Sequence, residues 1–211
     1  MNSSTALLIV DVQYGFMPGG GLPVKNGDAV VPVINQVAPL FSNAVLTQDW
    51  HPPGHISFAA NHPGHQPFEL MKLPYGEQVL WPTHCVQGTR DAALHDDLQV
   101  PQAQLVIRKG FHPSVDSYSA FVEADRTTTT GLAAYLHARS ITSLYICGLA
   151  TDYCVAWSAL DARAAGFEVA VIEDACRAID LNGSLEKAWA DMASAGVKRI
   201  QSSSILQGNL P

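Results

Sequence analysis

Leu144-Tyr145-Ile146-Cys147-Gly148-Leu149-Ala150-Thr151-Asp152-Tyr153-Cys154-Val155 opens as a short apolar run, breaks at Gly148, and continues with helical periodicity through Ala165. That pattern predicts a buried parallel strand, a tight turn and the first turn of a helix. Cys154 then falls at the helix N-terminus, where unpaired backbone N–H groups and the positive end of the dipole favour an anion. A thiol in such a place tends toward a lowered pKa and nucleophilic reactivity. The same N–H groups can hold an oxyanion formed beside the sulfur. A free cysteine is also often a small buried hydrophobe, so this stretch alone leaves both readings open.

Outward from it, strand and helix patterns alternate. Residues 6–10 form a continuous apolar run, as in a strand covered on both faces, and end at Asp11. Asp28 can cap a helix running to about residue 42, with Pro32 tolerable only near its first turn. A second strand over residues 44–48 ends at Asp49, and a third over 104–107 runs into Arg108-Lys109-Gly110. Thr130 can cap a helix over about 131–139, which leads back to the opening strand. Beyond the Cys154 helix come a strand at 168–172, a helix at about 184–195 and a last strand near 198–201. Six strands alternating with helices predict an α/β fold, a doubly wound parallel sheet covered by helices. Asp11, Asp49, Lys109 and Cys154 each stand at or just past the C-terminal end of a different strand. A parallel sheet gathers all such ends on one edge, where open α/β sheets bind ligands.

Between Asp49 and about Gln102 no strong strand or helix pattern is legible, and a loop that long in one domain is usually functional. It begins Asp49-Trp50-His51-Pro52-Pro53-Gly54-His55. Asp49 and His51, two apart on an extended segment, point to the same side and can share an ion. His84, in Trp81-Pro82-Thr83-His84-Cys85, supplies a third ligand from the same loop. Two imidazoles and a carboxylate suit Zn²⁺, Fe²⁺ or Mn²⁺ with positions left open. Taken singly, His55, His62 and His65 read as solvated loop residues. Gly19-Gly20-Gly21 lacks phosphate-loop spacing, which excludes nucleotide binding there.

The 211 residues, 47% hydrophobic and 15% charged, suit one domain (1–211) with a sizeable core. A net charge of −7 with no basic run argues against nucleic acid or an anionic membrane as partner. The first apolar run is too short for a signal or a membrane span, so a cytoplasmic location is expected. Four scattered cysteines without a C-x-x-C pair exclude a structural zinc knuckle; Cys147 reads as core, and Cys85 and Cys176 carry no assignment.

Leu8-Ile9-Val10-Asp11-Val12-Gln13, Gln48-Asp49-Trp50-His51, Trp81-Pro82-Thr83-His84-Cys85, Lys109-Gly110, Asp116-Ser117-Tyr118-Ser119-Ala120-Phe121 and Gly148-Leu149-Ala150-Thr151-Asp152-Tyr153-Cys154 together resemble the nicotinamidase (pyrazinamidase) branch of the isochorismatase-like cysteine hydrolases. The motifs occur in matching order over essentially the whole chain. The resemblance implies a three-layer αβα sandwich with a six-stranded parallel sheet, and hydrolysis of nicotinamide to nicotinate and ammonia in NAD salvage. It implies Asp11, Lys109 and Cys154 as the catalytic triad, and Asp49, His51 and His84 as ligands of one divalent ion (Zn, Fe or Mn). His55 matches a further histidine that ligates the ion in some members. Phe16, Trp81 and Tyr118 match aromatic positions around the pyridine ring. The Leu149-Ala150 peptide matches one that is cis in relatives, where the N–H groups of Ala150 and Cys154 form the oxyanion hole. The expected partner is the small-molecule substrate alone, and the sequence leaves room for a homo-oligomer. The nearest alternative keeps the thiol hydrolase and changes the substrate to another small amide, such as a carbamoyl amino acid. A non-catalytic ligand-binding relative would have lost a triad residue, and none is lost.

Overall fold

The structure, a computed structural model, describes residues 3–208. In chain order its strands are Thr5–Val10 (β1), Asn43–Asp49 (β2), Leu70–Leu73 (β3), Gly76–Val79 (β4), Ala103–Lys109 (β5), Ser143–Leu149 (β6), Glu168–Arg177 (β7) and Lys198–Ile200 (β8). Six of them form one sheet in the order β5-β2-β1-β6-β7-β8. Every pairing in it is parallel, as the alternating pattern predicts. β1 is buried at all its positions, which an unbroken apolar strand needs at the centre of a sheet covered on both faces. The chain winds outward from β1 through β2 to β5, then returns to the other side of β1 as β6. That reversal opens a crevice beyond the C-terminal ends of β1 and β6.

Helices Val30–Val37 (α1), Leu132–Ala138 (α2), Ala156–Ala164 (α3), Ser184–Ser194 (α4) and Ser202–Leu206 (α5) flank the sheet. α1 buries Val30, Val31, Ile34 and Val37, one face at helical spacing, and Pro32 sits in its first turn as expected. α1 packs with α5 and β7; α3 packs with α4 and also against β7. None of the helices among the described residues is long and apolar enough to cross a membrane.

Three local features differ from the sequence reading. Asp28 does not cap α1: it lies within a 3-10 turn, Gly27–Ala29, and α1 starts at Val30 without a side-chain cap. The stretch read as patternless contains the antiparallel hairpin β3–β4, joined through Pro74-Tyr75. Its side chains are mostly exposed, so no apolar alternation marks it. The turn that carries Cys154 is a five-residue π-turn, Thr151–Val155, which passes directly into α3. Such wide turns recur at functional positions.

Gly148 pairs with Val10 at the end of the β1–β6 ladder. It has φ +118°, and an added Cβ would stand 2.0 Å from the Val10 carbonyl oxygen. Gly148→Ala is expected to destabilise the protein by at least about 3 kcal/mol, because both the space and the dihedral are refused. Urea unfolding measures this directly, and a midpoint equal to that of the native chain would show that β1 and β6 can part without cost.

Candidate active site

The sheet order fixes which strand-end side chains meet. Asp11 follows β1, Asp49 closes β2 and Lys109 closes β5, three adjacent strands, while Cys154 follows β6 on the other side of β1. All four side chains converge, as the sequence reading expects.

Lys109 is fully buried, with Nζ 3.2 Å from Cys154 Sγ, 2.8 Å from Asp11 Oδ2 and 3.1 Å from the Ser117 carbonyl oxygen. It also donates to Asp49 Oδ1. Three ammonium protons thus face four acceptors. Asp11 Oδ2 is the one left over: its contact with Lys109 is a charge contact, not an aligned hydrogen bond. Among the described residues it is the only side-chain N or O atom wholly sealed from solvent with no hydrogen bond. The other oxygen, Oδ1, accepts from the Thr47 hydroxyl at 2.6 Å, and Thr47 Oγ1 in turn accepts from the Asp11 N–H at 3.1 Å. This pair of bonds braces Asp11 in a left-handed conformation, φ +49°. The free oxygen is therefore the one available to take a proton.

Burial alone would lower the Lys109 pKa, but the Asp11 and Asp49 carboxylates outweigh it and hold the ammonium charged. Burial, with Asp49 adding to it against Lys109, raises Asp11 and makes it a stronger base than an exposed carboxylate. The sequence reading of a lowered thiol pKa does not hold in this geometry. Burial pushes the Cys154 thiol well up; Lys109 pulls it down, and Asp11 and Asp49 push it up again. Burial therefore favours the protonated thiol.

Asp49, His51 and His84 lie buried together beside this cluster. Asp49 spends Oδ1 on Lys109, and its Oδ2 stands 3.7 Å from His51 Nε2 and 3.8 Å from His84 Nε2. Those gaps are too long for hydrogen bonds and suit three ligands about 2.0–2.2 Å from a shared ion. Each imidazole is oriented from behind: His51 Nδ1 donates to the Gly110 carbonyl oxygen and His84 Nδ1 to that of Pro82, both at 2.8 Å, which leaves the Nε2 lone pairs facing Asp49. The first of these bonds needs a glycine, since at Gly110 (φ +63°) a Cβ would come within 2.4 Å of the His51 ring. The donor set fits one divalent metal ion. The structure does not bring His55 into this trio. Its Nδ1 faces Ser57 Oγ at 2.7 Å and its Nε2 the Val115 carbonyl oxygen at 3.2 Å, while its ring packs against that of His51. Burial and the neighbouring His51 lower its pKa to about 4.

A cavity opens onto both groups. Cys154, Ala150, Asp49, His51 and His84 line it, and so do Phe16, Trp81 and Tyr118, the three aromatics singled out in the sequence. The Leu149-Ala150 peptide is cis. Leu22, Asp116, Tyr153 and Ile179 also line the cavity and carry no role in the sequence reading. Asp116 and Tyr153 stand inside motifs already quoted, so those motifs were the available signal. Leu22 and Ile179 are isolated apolar residues in loops and gave none.

The isochorismatase domain family matches residues 5–204. A nicotinamidase of Acinetobacter baylyi is 60% identical over 97% of this chain and 95% of its own length. The solved Acinetobacter baumanii nicotinamidase pyrazinamidase superposes with a TM-score of 0.96 at 62% identity, covering 97% of this chain and 99% of that one. The Pyrococcus horikoshii pyrazinamidase, solved in complex with zinc, superposes with a TM-score of 0.77 at 37% identity, covering 94% and 99%. The matched residues take in the whole parallel sheet and every side chain that faces the cavity, and the chain belongs to the isochorismatase-like hydrolase family.

Proposed function

We propose that this protein hydrolyses nicotinamide, and pyrazinamide by the same route, to the carboxylate and ammonia. Nicotinate formation would give it a place in NAD salvage. The observation that carries the proposal is a buried thiol touching Lys109, next to a carboxylate oxygen with no other hydrogen bond, across a cavity from an Asp/His/His donor set. The names and structures of relatives at 60% and 62% identity support the same substrate.

In this reading Asp11, Lys109 and Cys154 are the triad. Cys154 Sγ forms a bond to the carboxamide carbon while its proton passes to Asp11 Oδ2, the two groups lying within 4.8 Å of each other. The carbonyl π pair moves onto oxygen, where the N–H groups of Ala150 and Cys154 receive the charge. Asp11 returns the proton to nitrogen as the C–N bond breaks, ammonia leaves, and a thioester remains. Water then attacks the thioester with Asp11 taking its proton, and the sulfur leaves and is reprotonated. Lys109 stays charged throughout and steadies the anionic form of its two neighbours. Phe16, Trp81 and Tyr118 enclose the ring, and His55 packs behind His51. Asp49, His51 and His84 would hold one Zn²⁺, Fe²⁺ or Mn²⁺ ion, which when bound offers open positions to a ring nitrogen and so orients the substrate.

Ammonia release from nicotinamide by the purified, metal-supplemented protein tests the activity. Cys154→Ala should lower kcat on the order of 10³-fold or more while nicotinamide still binds by calorimetry. Near-normal release from that variant would remove the thiol from the mechanism. Chelation should collapse kcat/KM for nicotinamide yet leave Cys154 open to iodoacetamide. Benzamide, with no ring nitrogen, should be a poor substrate in either state. Loss of alkylation along with the metal, in protein that remains folded, would mean the ion activates the sulfur. Because burial raises the Cys154 pKa, the thiolate fraction grows only as pH climbs toward that raised value. The alkylation rate of chelated protein should therefore be low at pH 7 and still rising beyond pH 9. A rate already at its plateau by neutral pH would reveal a preformed thiolate instead.

A further inference from the structure

The β3–β4 hairpin has one buried residue, Gln78, which is 1% exposed; the rest of its side chains are exposed or half-buried. Its amide is aimed at the cavity wall. Nε2 lies 2.8 Å from Asp116 Oδ2, 2.9 Å from the Tyr118 hydroxyl and 2.7 Å from the Val79 carbonyl oxygen, so two protons serve three acceptors. Oε1 accepts from the Tyr75 hydroxyl of the same hairpin at 3.1 Å. Asp116 and Tyr118 both line the cavity.

Each depends on that amide. Asp116 Oδ1 is engaged by the Ser117 N–H, and its buried Oδ2 is satisfied by Gln78. The Tyr118 hydroxyl accepts from Gln78 Nε2 and, at 3.0 Å, from Trp81 Nε1. Two accepted bonds use both its lone pairs and leave it only a proton to offer. Without Gln78, Asp116 Oδ2 loses the bond that satisfies it, and the Tyr118 hydroxyl loses one of the two bonds that hold it. A buried amide with no apolar packing to do, bonded to two side chains of one pocket wall, is spent on the shape of that wall.

We propose that Gln78 is a positioning residue for substrate binding: it sets Asp116 and Tyr118 so that the cavity grips the pyridine ring, and it takes no part in the chemistry at Cys154. The proposal deepens the nicotinamide reading and rests on it for the identity of the ring. Gln78→Met keeps the length and volume of the side chain and removes every hydrogen bond. Losing one anchored network should raise KM for nicotinamide about tenfold with kcat within about twofold. A variant that is merely less stable would lose active fraction, lowering kcat at unchanged KM. Iodoacetamide should also alkylate Cys154 several-fold faster in unliganded Gln78→Met, a readout that needs no turnover. Should Gln78→Met fail to fold, Gln78→Asn, which withdraws the amide by one methylene, carries the same expectations. Unchanged KM, or a fall confined to kcat, overturns the role of Gln78 where the native protein releases ammonia. If the native protein releases none, the nicotinamide reading fails by itself, and an unchanged alkylation rate then decides against Gln78.

Discussion

The Lys109 ammonium is buried completely at the edge of the sheet, and the site is built around the cost of keeping it there. An isolated charge in that position would carry a penalty of several kcal/mol, so it must be surrounded by groups of opposite sign. Asp49 and Asp11 supply them from the next two strands, β2 and β1, and the β5-β2-β1 order is what places them in reach. Two carboxylates around one cation leave a negative excess, which suits a divalent ion on the far side of Asp49. That one carboxylate turns one oxygen to Lys109 and the other to His51 and His84, so the Lys109 cluster and the Asp/His/His donor set share a wall.

The same burial sets the character of the Cys154 thiol. A thiol desolvated between a cation and two carboxylates is held protonated, and the carboxylate beside it is made more basic. In the proposed reaction, proton transfer to Asp11 and attack by the sulfur then belong to one event. Cys154 is 5% exposed and lines the cavity.

Buried glutamines hold the long segment between β2 and β5. Gln13 Nε2 donates to the Asp49 and Ala92 carbonyl oxygens, both at 2.9 Å, and its Oε1 accepts from the Asp49 N–H at 2.8 Å. Gln48 reaches the Ala92 carbonyl oxygen as well, at 3.1 Å, and Gln78 secures the hairpin. Irregular backbone cannot satisfy its own polar groups once buried, and an amide side chain brings a donor and an acceptor to the same place. The loop is thus ordered by polar bridges where the sheet is ordered by apolar packing.

The sequence by itself determined the parallel sheet, because β1 and β6 are apolar runs that make sense only when covered on both faces. It also determined that Asp11, Asp49, Lys109 and Cys154 meet, since strand ends of one sheet share an edge. The motifs pointed, by resemblance, to Asp49, His51 and His84 and to Phe16, Trp81 and Tyr118, all of which line one cavity. Only the tertiary structure decided which oxygen of Asp11 is free, since that depends on Thr47 two positions before Asp49 on the neighbouring strand. Only it set the direction of the Cys154 pKa, because helix-end position argues one way and complete burial the other, and burial is a property of the whole packed molecule. His55 is a further case: taken singly it reads as a solvated loop residue and by resemblance as a ligand in some members, yet it is buried, and Ser57 and Val115 take both its nitrogens. The contact of Gln78 with Asp116 stayed out of sight for the same reason. A hydrogen bond between residues 38 positions apart leaves no local pattern, and it exists only once the hairpin has folded against the cavity.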